Sequence, residues 1–391
     1  MAASVLALAS CAKPPATVAS AWGTGTTLPH PELPLVRCCS DPQDPYTFIV
    51  LGNGMLVRGR ADSAAAAFYW ASRFDPTLAQ PYYGRSVALL LTYGQQVRDY
   101  FGGEVWVPVA KIPRWRMAVV DSLRQEALAR DPFLPAQYDH LLTGRPPFFA
   151  LAQVRDPAVR GYWMYDFGQM ALADSLLGVA LKAQPGRTRL RQLRARAEYD
   201  LGRYDSAAVQ LRILLDTLSH RDSSTLTLAY ASKEMIYYAL GYAQAQRGDT
   251  AGARLAFENA VGENAAFYPA HTRLAAVAVK RSDVATAIRE LDAALEIAPN
   301  DPVLLFFHAA VLLDGGDAGR AARELIKAID FDPYFAKPYL MLGKAHEARG
   351  DTERAAGAYG EYASHERLKD PQRTWAEAYA DTLRRRLAKP R

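Results

Sequence analysis

Residues able to carry covalent or acid–base chemistry are few in this chain and poorly placed for it. Three cysteines and seven histidines occur in 391 residues. Cys38 and Cys39 are neighbours, and Cα atoms about 3.8 Å apart across a trans peptide lie below the usual span of a disulfide. Two thiols without a nearby His pair also make a poor zinc site. His30, His140, His220 and His365 have no Asp, Ser or Cys at a recognisable spacing. No HExxH, GxSxG, GxxxxGK[ST] or CxxC is present, and Gly23-Thr24-Gly25 lacks the third glycine and preceding strand of a dinucleotide loop. The residues thus predict no catalytic set, no cofactor and no metal. What remains is the chemistry of binding, carried by 21 tyrosines and by arginines.

The elements that position those side chains are announced by an internal period. One pattern recurs at 34-residue intervals in the C-terminal half. The copies are Tyr237, Leu240, Gly241, Gly248, Ala253, Phe257, Ala260; His271, Leu274, Ala275, Ser282, Ala287, Leu291, Ala294, Pro299; Leu305, His308, Ala309, Gly316, Ala321, Leu325, Ala328, Pro333; and Tyr339, Leu342, Gly343, Gly350, Ala355, Tyr359. His271 and His308 fall on the packing positions, and His346 is read as structural with them. Between the two halves of each copy stand Gly248-Asp249, Ser282-Asp283, Gly316-Asp317 and Gly350-Asp351. A glycine can close one helix in the left-handed conformation and an aspartate can cap the next. Each copy therefore predicts two short antiparallel helices whose small residues admit close approach. One such pair cannot bury its apolar face alone, so the pairs must stack.

In period and residue pattern this chain resembles the tetratricopeptide repeat (TPR) family. The resemblance implies an all-α, right-handed superhelical solenoid of helix–turn–helix repeats. The register extends upstream through Gly161, Gly168, Ala173, Leu177, Ala180 and Pro185, then Ala195, Gly202, Ala207 and Leu211, and again through Phe48, Leu51, Gly52, Gly59, Ala64, Phe68, Ala71 and Pro76. The expected organisation is a signal-like segment at 1–10, a Pro-rich tether at 11–45, N-terminal repeats at 46–132 interrupted by an insertion at 94–113, and an irregular connector at 133–156. A repeat array follows at 157–370, with an insertion near 220–230, and then a capping helix and basic tail at 371–391. The Gly-Gly and alternating Val-Trp-Val-Pro-Val of the 94–113 insertion suit an extended loop or hairpin, read either as a functional site or as a plug against the groove. Half the residues are apolar and the net charge is +5, with eight Lys or Arg against four Asp or Glu from Glu366 onward.

The resemblance also implies a concave groove lined by set positions of each first helix. Carried over by register, these are Arg155, Tyr162 and Tyr165; Arg189, Gln192, Arg196 and Tyr199; Met235, Tyr238 and Tyr242; Val303, Phe306 and Leu313; and Lys337 and Lys344. A groove rich in tyrosine and cations suits a protein or extended peptide of apolar and acidic character, with no nucleic acid partner. Leu340 and Met341 stand where a carboxylate clamp for chaperone tails needs polar residues, which disfavours that class.

Leu8-Ala9-Ser10-Cys11 resembles the lipobox of bacterial lipoproteins, whose cysteine thiol becomes a thioether to diacylglycerol. That resemblance implies lipidation at Cys11 and a protein held at a membrane surface on the periplasmic side, with Ala12 favouring the outer membrane where the host has one. The expected function is a noncatalytic scaffold or adaptor in envelope assembly, secretion or complex maturation. The alternatives are a cytosolic regulator or chaperone adaptor, and an enzyme with its site in the 94–113 loop.

Overall fold

The computed structural model describes residues 31–36, 41–98, 104–108, 111–134, 154–219 and 232–388. Cys11, Cys38, Cys39, His140, the 135–153 connector and the insertion at 220–231 lie outside them. Seventeen helices occur among the described residues. In chain order they are α1 (Pro45–Val57), α2 (Ala61–Phe74), α3 (Gln80–Leu91), α4 (Arg114–Arg130), α5 (Pro157–Asp166), α6 (Met170–Ala183), α7 (Thr188–Asp200), α8 (Tyr204–Ser219) and α9 (Lys233–Arg247). They continue as α10 (Thr250–Glu263), α11 (Tyr268–Lys280), α12 (Val284–Ile297), α13 (Pro302–Asp314), α14 (Ala318–Phe331), α15 (Lys337–Ala348), α16 (Thr352–His365) and α17 (Pro371–Leu387). Between α3 and α4 an antiparallel hairpin pairs β1 (Gly94–Arg98) with β2 (Glu104–Pro108), in the register Gly94↔Pro108 to Arg98↔Glu104. The helices form eight antiparallel pairs closed by α17, an all-α repeat solenoid carrying one hairpin.

The helix boundaries follow from local chemistry. Gly248, Gly316 and Gly350 adopt φ of 87°, 85° and 75°, and Ser282 at the equivalent turn is driven to 59°. That makes Ser282 the non-glycine residue with positive φ among those described, so the turn geometry overrides the residue's own preference. Each following aspartate then accepts a hydrogen bond from the backbone N–H three residues on: Asp249 from Gly252 (2.9 Å), Asp283 from Thr286 (3.0 Å), Asp317 from Arg320 (2.9 Å) and Asp351 from Arg354 (3.2 Å). Several helices start on Asp-Pro. Asp44, Asp156, Asp301 and Asp370 cap the N-termini, and the proline behind each has no N–H to leave unpaired.

Within a pair, the two helices meet at one size-matched contact. A Cβ added at Gly52 would stand 2.8 Å from Phe68, at Gly161 2.9 Å from Leu177, at Gly241 2.6 Å from Phe257 and at Gly343 2.5 Å from Tyr359. Each partner lies sixteen residues downstream. Where the first helix carries alanine instead, the same offset holds leucine: Ala195 with Leu211, Ala275 with Leu291 and Ala309 with Leu325, all buried. A ring thus enters opposite Gly52, Gly241 and Gly343, and a branched aliphatic chain opposite Gly161 and wherever the first helix carries a methyl.

The chain then closes on itself. Arg73 pairs with Asp332 at 3.1 Å, both side chains less than a tenth exposed. Lys337 reaches Asp75 at 3.2 Å. Trp70 meets Tyr334 edge to face at 5.0 Å between centroids. Asp41 accepts from the Leu368 N–H at 2.6 Å, and Gln43 donates to the Ser364 carbonyl at 2.6 Å. The unit formed by α1–α4 is therefore docked against α14–α16 at the far end of the array.

The size matching predicts a thermodynamic coupling. Gly241→Ala pushes a methyl into the Phe257 ring and should lower stability by about 1–3 kcal/mol, the usual cost of overpacking. Phe257→Leu leaves a void and should also destabilise. Together they recreate the Ala275/Leu291 pair, so a double-mutant cycle by urea denaturation should return at least about 1 kcal/mol of favourable coupling. Strict additivity would contradict the size-matched contact.

Candidate protein-binding groove

The first helices α5, α7, α9, α11, α13 and α15 supply the face on which binding residues are expected. Helix packing orients them: the small residues turn toward the second helices, leaving other positions free to face away from them. The structure divides the sequence-derived positions into two groups, one engaged by the chain itself and one open.

The engaged group surrounds the end of α4. Tyr238 is fully buried, and its hydroxyl donates to the carbonyl of Ala129. The Tyr242 hydroxyl donates to the Arg130 carbonyl at 3.4 Å, and the Arg273 guanidinium reaches that carbonyl at 3.0 Å and the Tyr238 hydroxyl at 3.1 Å. Arg273 also lies 4.8 Å from the Tyr242 ring centroid, a cation–π geometry. Just past the helix, Phe133 stacks on Tyr199 with centroids 3.9 Å apart and planes 3° apart. The expectation that Tyr199, Tyr238 and Tyr242 stand open to a partner does not describe this structure, because residues 129–133 already occupy them. Phe306 is half-buried against Phe335, 5.3 Å away. Tyr165 is buried and donates to Asp200 at 3.2 Å, while Tyr162 packs partly buried against the same local core. Lys337 is taken up by Asp75.

Burial shapes the charges here. Asp131 is pushed above the usual carboxylate range by desolvation, against the pull of the Phe133 N–H and of Arg196 and Arg273 nearby. Asp200 is pushed up to about 6, again by burial, although the Tyr165 hydroxyl and Arg196 favour its ionised form. Arg196 thus sits in the field of two carboxylates. Burial likewise raises Tyr242.

The open group is cationic. Arg155 and Arg189 are exposed and have no ion-pair partner among the described residues. They stand 34 residues apart in the sequence, Arg155 just before the Asp156 cap of α5 and Arg189 in the first turn of α7. Arg160 and Arg187 are exposed near them in the sequence, and the Arg187 guanidinium donates to the Gln184 side chain at 3.2 Å. From Arg155 to Arg196 the chain carries eight Lys or Arg against three Asp, a local excess that an average over the chain hides. Arg194 differs, being tied to Asp174 at 2.8 Å and Glu198 at 3.1 Å.

Sequence reasoning missed Arg273 and Phe133. Arg273 is one position past Thr272, which the 34-residue register aligns with Tyr238, and it directly precedes the apolar stretch Leu274–Val279. Phe133 is an aromatic in a Pro-flanked turn, which nothing local marks as an anchor. Among the described residues no group of three His, Cys, Asp or Glu could hold a metal, and no helix is long and apolar enough to cross a membrane.

No family model matches the chain. A TPR repeat-containing protein of Pseudomonas aeruginosa is 35% identical over 72 residues, which cover 18% of this chain and 69% of the relative. Among solved structures, the C-terminal part of a TPR repeat-containing protein from Cytophaga hutchinsonii aligns with a TM-score of 0.45 at 16% identity, over 53% of this chain and 78% of that one. YrrB, described as a TPR protein with an unusual peptide-binding site, aligns with a TM-score of 0.41 at 17% identity over 52% and 97%. MamA from Desulfovibrio magneticus gives 0.41 at 20% identity over 47% and 97%. On the identity and coverage of the Pseudomonas relative, the chain belongs to the TPR repeat-containing proteins.

Proposed function

We propose that the protein is a noncatalytic interaction scaffold that takes an acidic, extended segment of a partner protein across α5 and α7. One observation carries this reading. Arg155, just before α5, and Arg189, in the first turn of α7, are exposed cations 34 residues apart with no ion pair among the described residues, in a stretch with eight basic against three acidic residues. An extended chain presents side chains at a regular rise, so repeated carboxylates can meet successive repeats. Exposed guanidiniums also steer encounter and recognise carboxylates bidentately. Half-buried Tyr162 beside them supplies an apolar contact of the kind that anchors interfaces.

The test uses a fluorescein-labelled peptide of alternating glutamate and leucine, with a lysine–leucine peptide as control. Arg155→Glu/Arg189→Glu should weaken the acidic peptide about tenfold, or about 1.4 kcal/mol, and binding should fall as salt rises. Equal binding of the two peptides, or no effect of the double reversal, would remove the acidic-partner reading.

The proposal extends to location. Leu8-Ala9-Ser10-Cys11 supports a diacylglyceryl anchor on Cys11 that would hold the scaffold on the periplasmic face of a membrane, in envelope assembly, secretion or complex maturation. Expressed in a bacterium, the protein should incorporate labelled fatty acid and partition into detergent, and Cys11→Ser should abolish both. Equal labelling of the two would remove the anchor and the periplasmic assignment with it.

A further inference from the structure

The stretch of groove already filled shows which chemistry it accepts. The last turn of any helix leaves carbonyls without intrahelical partners and carries the negative end of the helix dipole. Here two such carbonyls, of Ala129 and Arg130, are met by three donors from two other helices: the hydroxyls of Tyr238 and Tyr242 on α9 and the guanidinium of Arg273 on α11. These contacts read backbone, so any helix end satisfies them. A side-chain requirement comes from Tyr199, whose ring stacks flat on Phe133, three residues beyond the last carbonyl taken. Tyr238 is fully buried and Arg273 largely so, with the Arg273 Nε spent on Tyr238 itself. An empty pocket would leave a buried hydroxyl and cation without acceptors, so an occupant is part of the design.

The occupant and its receptor belong to one chain. The α1–α4 unit docks on the far end of the array through Arg73–Asp332 and Lys337–Asp75, through Asp41 and Gln43 on residues 364–368, and through Trp70 and Phe74 on Tyr334. An occupant in the same chain as its receptor is held by its effective concentration as well as by the burial of Phe133.

We propose that Tyr199, Tyr238, Tyr242 and Arg273 form a receptor for the C-terminal end of a helix followed by an aromatic residue, and that the chain's own α4 end is a resident occupant which a partner helix of that chemistry displaces. This goes beyond the arginine pair of the preceding subsection, and either reading can fail without the other. The receptor reads carbonyls and an aromatic ring and needs no acidic side chain. The partner would present a helix whose last-turn carbonyls are free, with Phe, Tyr or Trp about one turn further along.

The probe is a labelled synthetic peptide of residues 114–134, which has four basic against three acidic side chains and so is no ligand for the arginine pair. It is titrated against full-length wild type, Phe133→Ala, Phe133→Ala/Arg273→Ala and Arg155→Glu/Arg189→Glu/Phe133→Ala. Removing the resident anchor should tighten peptide binding at least tenfold over wild type, adding Arg273→Ala should lose at least tenfold of it, and the Arg155 and Arg189 reversals should leave it unchanged. Binding to Phe133→Ala no tighter than to wild type, or indifferent to Arg273→Ala, would overturn the receptor. Should Phe133→Ala fail to fold, wild type gives the same decision by hydrogen exchange. Excess peptide should expose the protein's own amides at 127–134, and unchanged protection at millimolar peptide would overturn the proposal.

Discussion

The structure depends on one constraint, that the two helices of each pair share a fixed volume at their crossing. Where the first helix has glycine the second inserts Phe68, Phe257 or Tyr359, and where it has alanine the second inserts leucine, with Gly161 and Leu177 as a mixed case. Helices of 13 or 14 residues are marginal in isolation, so this contact and its neighbours in the stack decide whether they form. Fully burying such a side chain contributes about 1.5–3 kcal/mol. Tyr359 illustrates how the larger partner is held: wholly buried, it donates its hydroxyl to Glu347 at 2.5 Å, and Tyr379 of the last helix donates to the same carboxylate at 2.5 Å. The crossing thus couples α15, α16 and α17.

Stacking by such contacts would give an open, one-dimensional array in which each pair feels only its neighbours. The contacts between α1–α4 and the far end change that. Arg73 and Asp332 are buried as a pair, and burial drives Asp332 up to about 7 even with the Arg73 guanidinium and two backbone N–H groups favouring its ionised form. Such a pair gains little net stability, because desolvation offsets attraction. It does fix where the N-terminal unit docks, since a misplaced unit would bury either charge alone. Closure in turn sets what the groove offers: its tyrosine-rich middle takes the α4 end, and the cations of α5 and α7 face solvent.

The repeat fold was legible because its causes are local. The 34-residue period, the Gly-Asp turns and the small-to-large alternation all act within one pair or between neighbours, and even Ser282 adopts the left-handed turn that its three glycine counterparts predict. The same register spaces Arg155 and Arg189 34 residues apart, and both are exposed. The closure was not. Arg130 and Arg273 are 143 positions apart and Arg73 and Asp332 further still, and their meeting depends on small rotations accumulated over many pairs. No pairing rule in a single sequence encodes such an angle. Tyr238 could be placed on a groove-lining face, but its burial under a carbonyl of α4 could not.

The central claim, that the array holds its own N-terminal unit, is tested most directly by zero-length crosslinking. A carbodiimide joins an amine to a carboxylate only when the two touch, and Lys337 Nζ lies 3.2 Å from the Asp75 carboxylate, 262 residues away, with the lysine partly exposed. Dilute full-length protein treated with carbodiimide should yield a Lys337–Asp75 linked peptide by mass spectrometry from the monomer band, and Asp75→Asn should remove it. If that linkage is missing from the monomer, or occurs only in crosslinked dimers, the chain does not close on itself and the groove is not self-occupied.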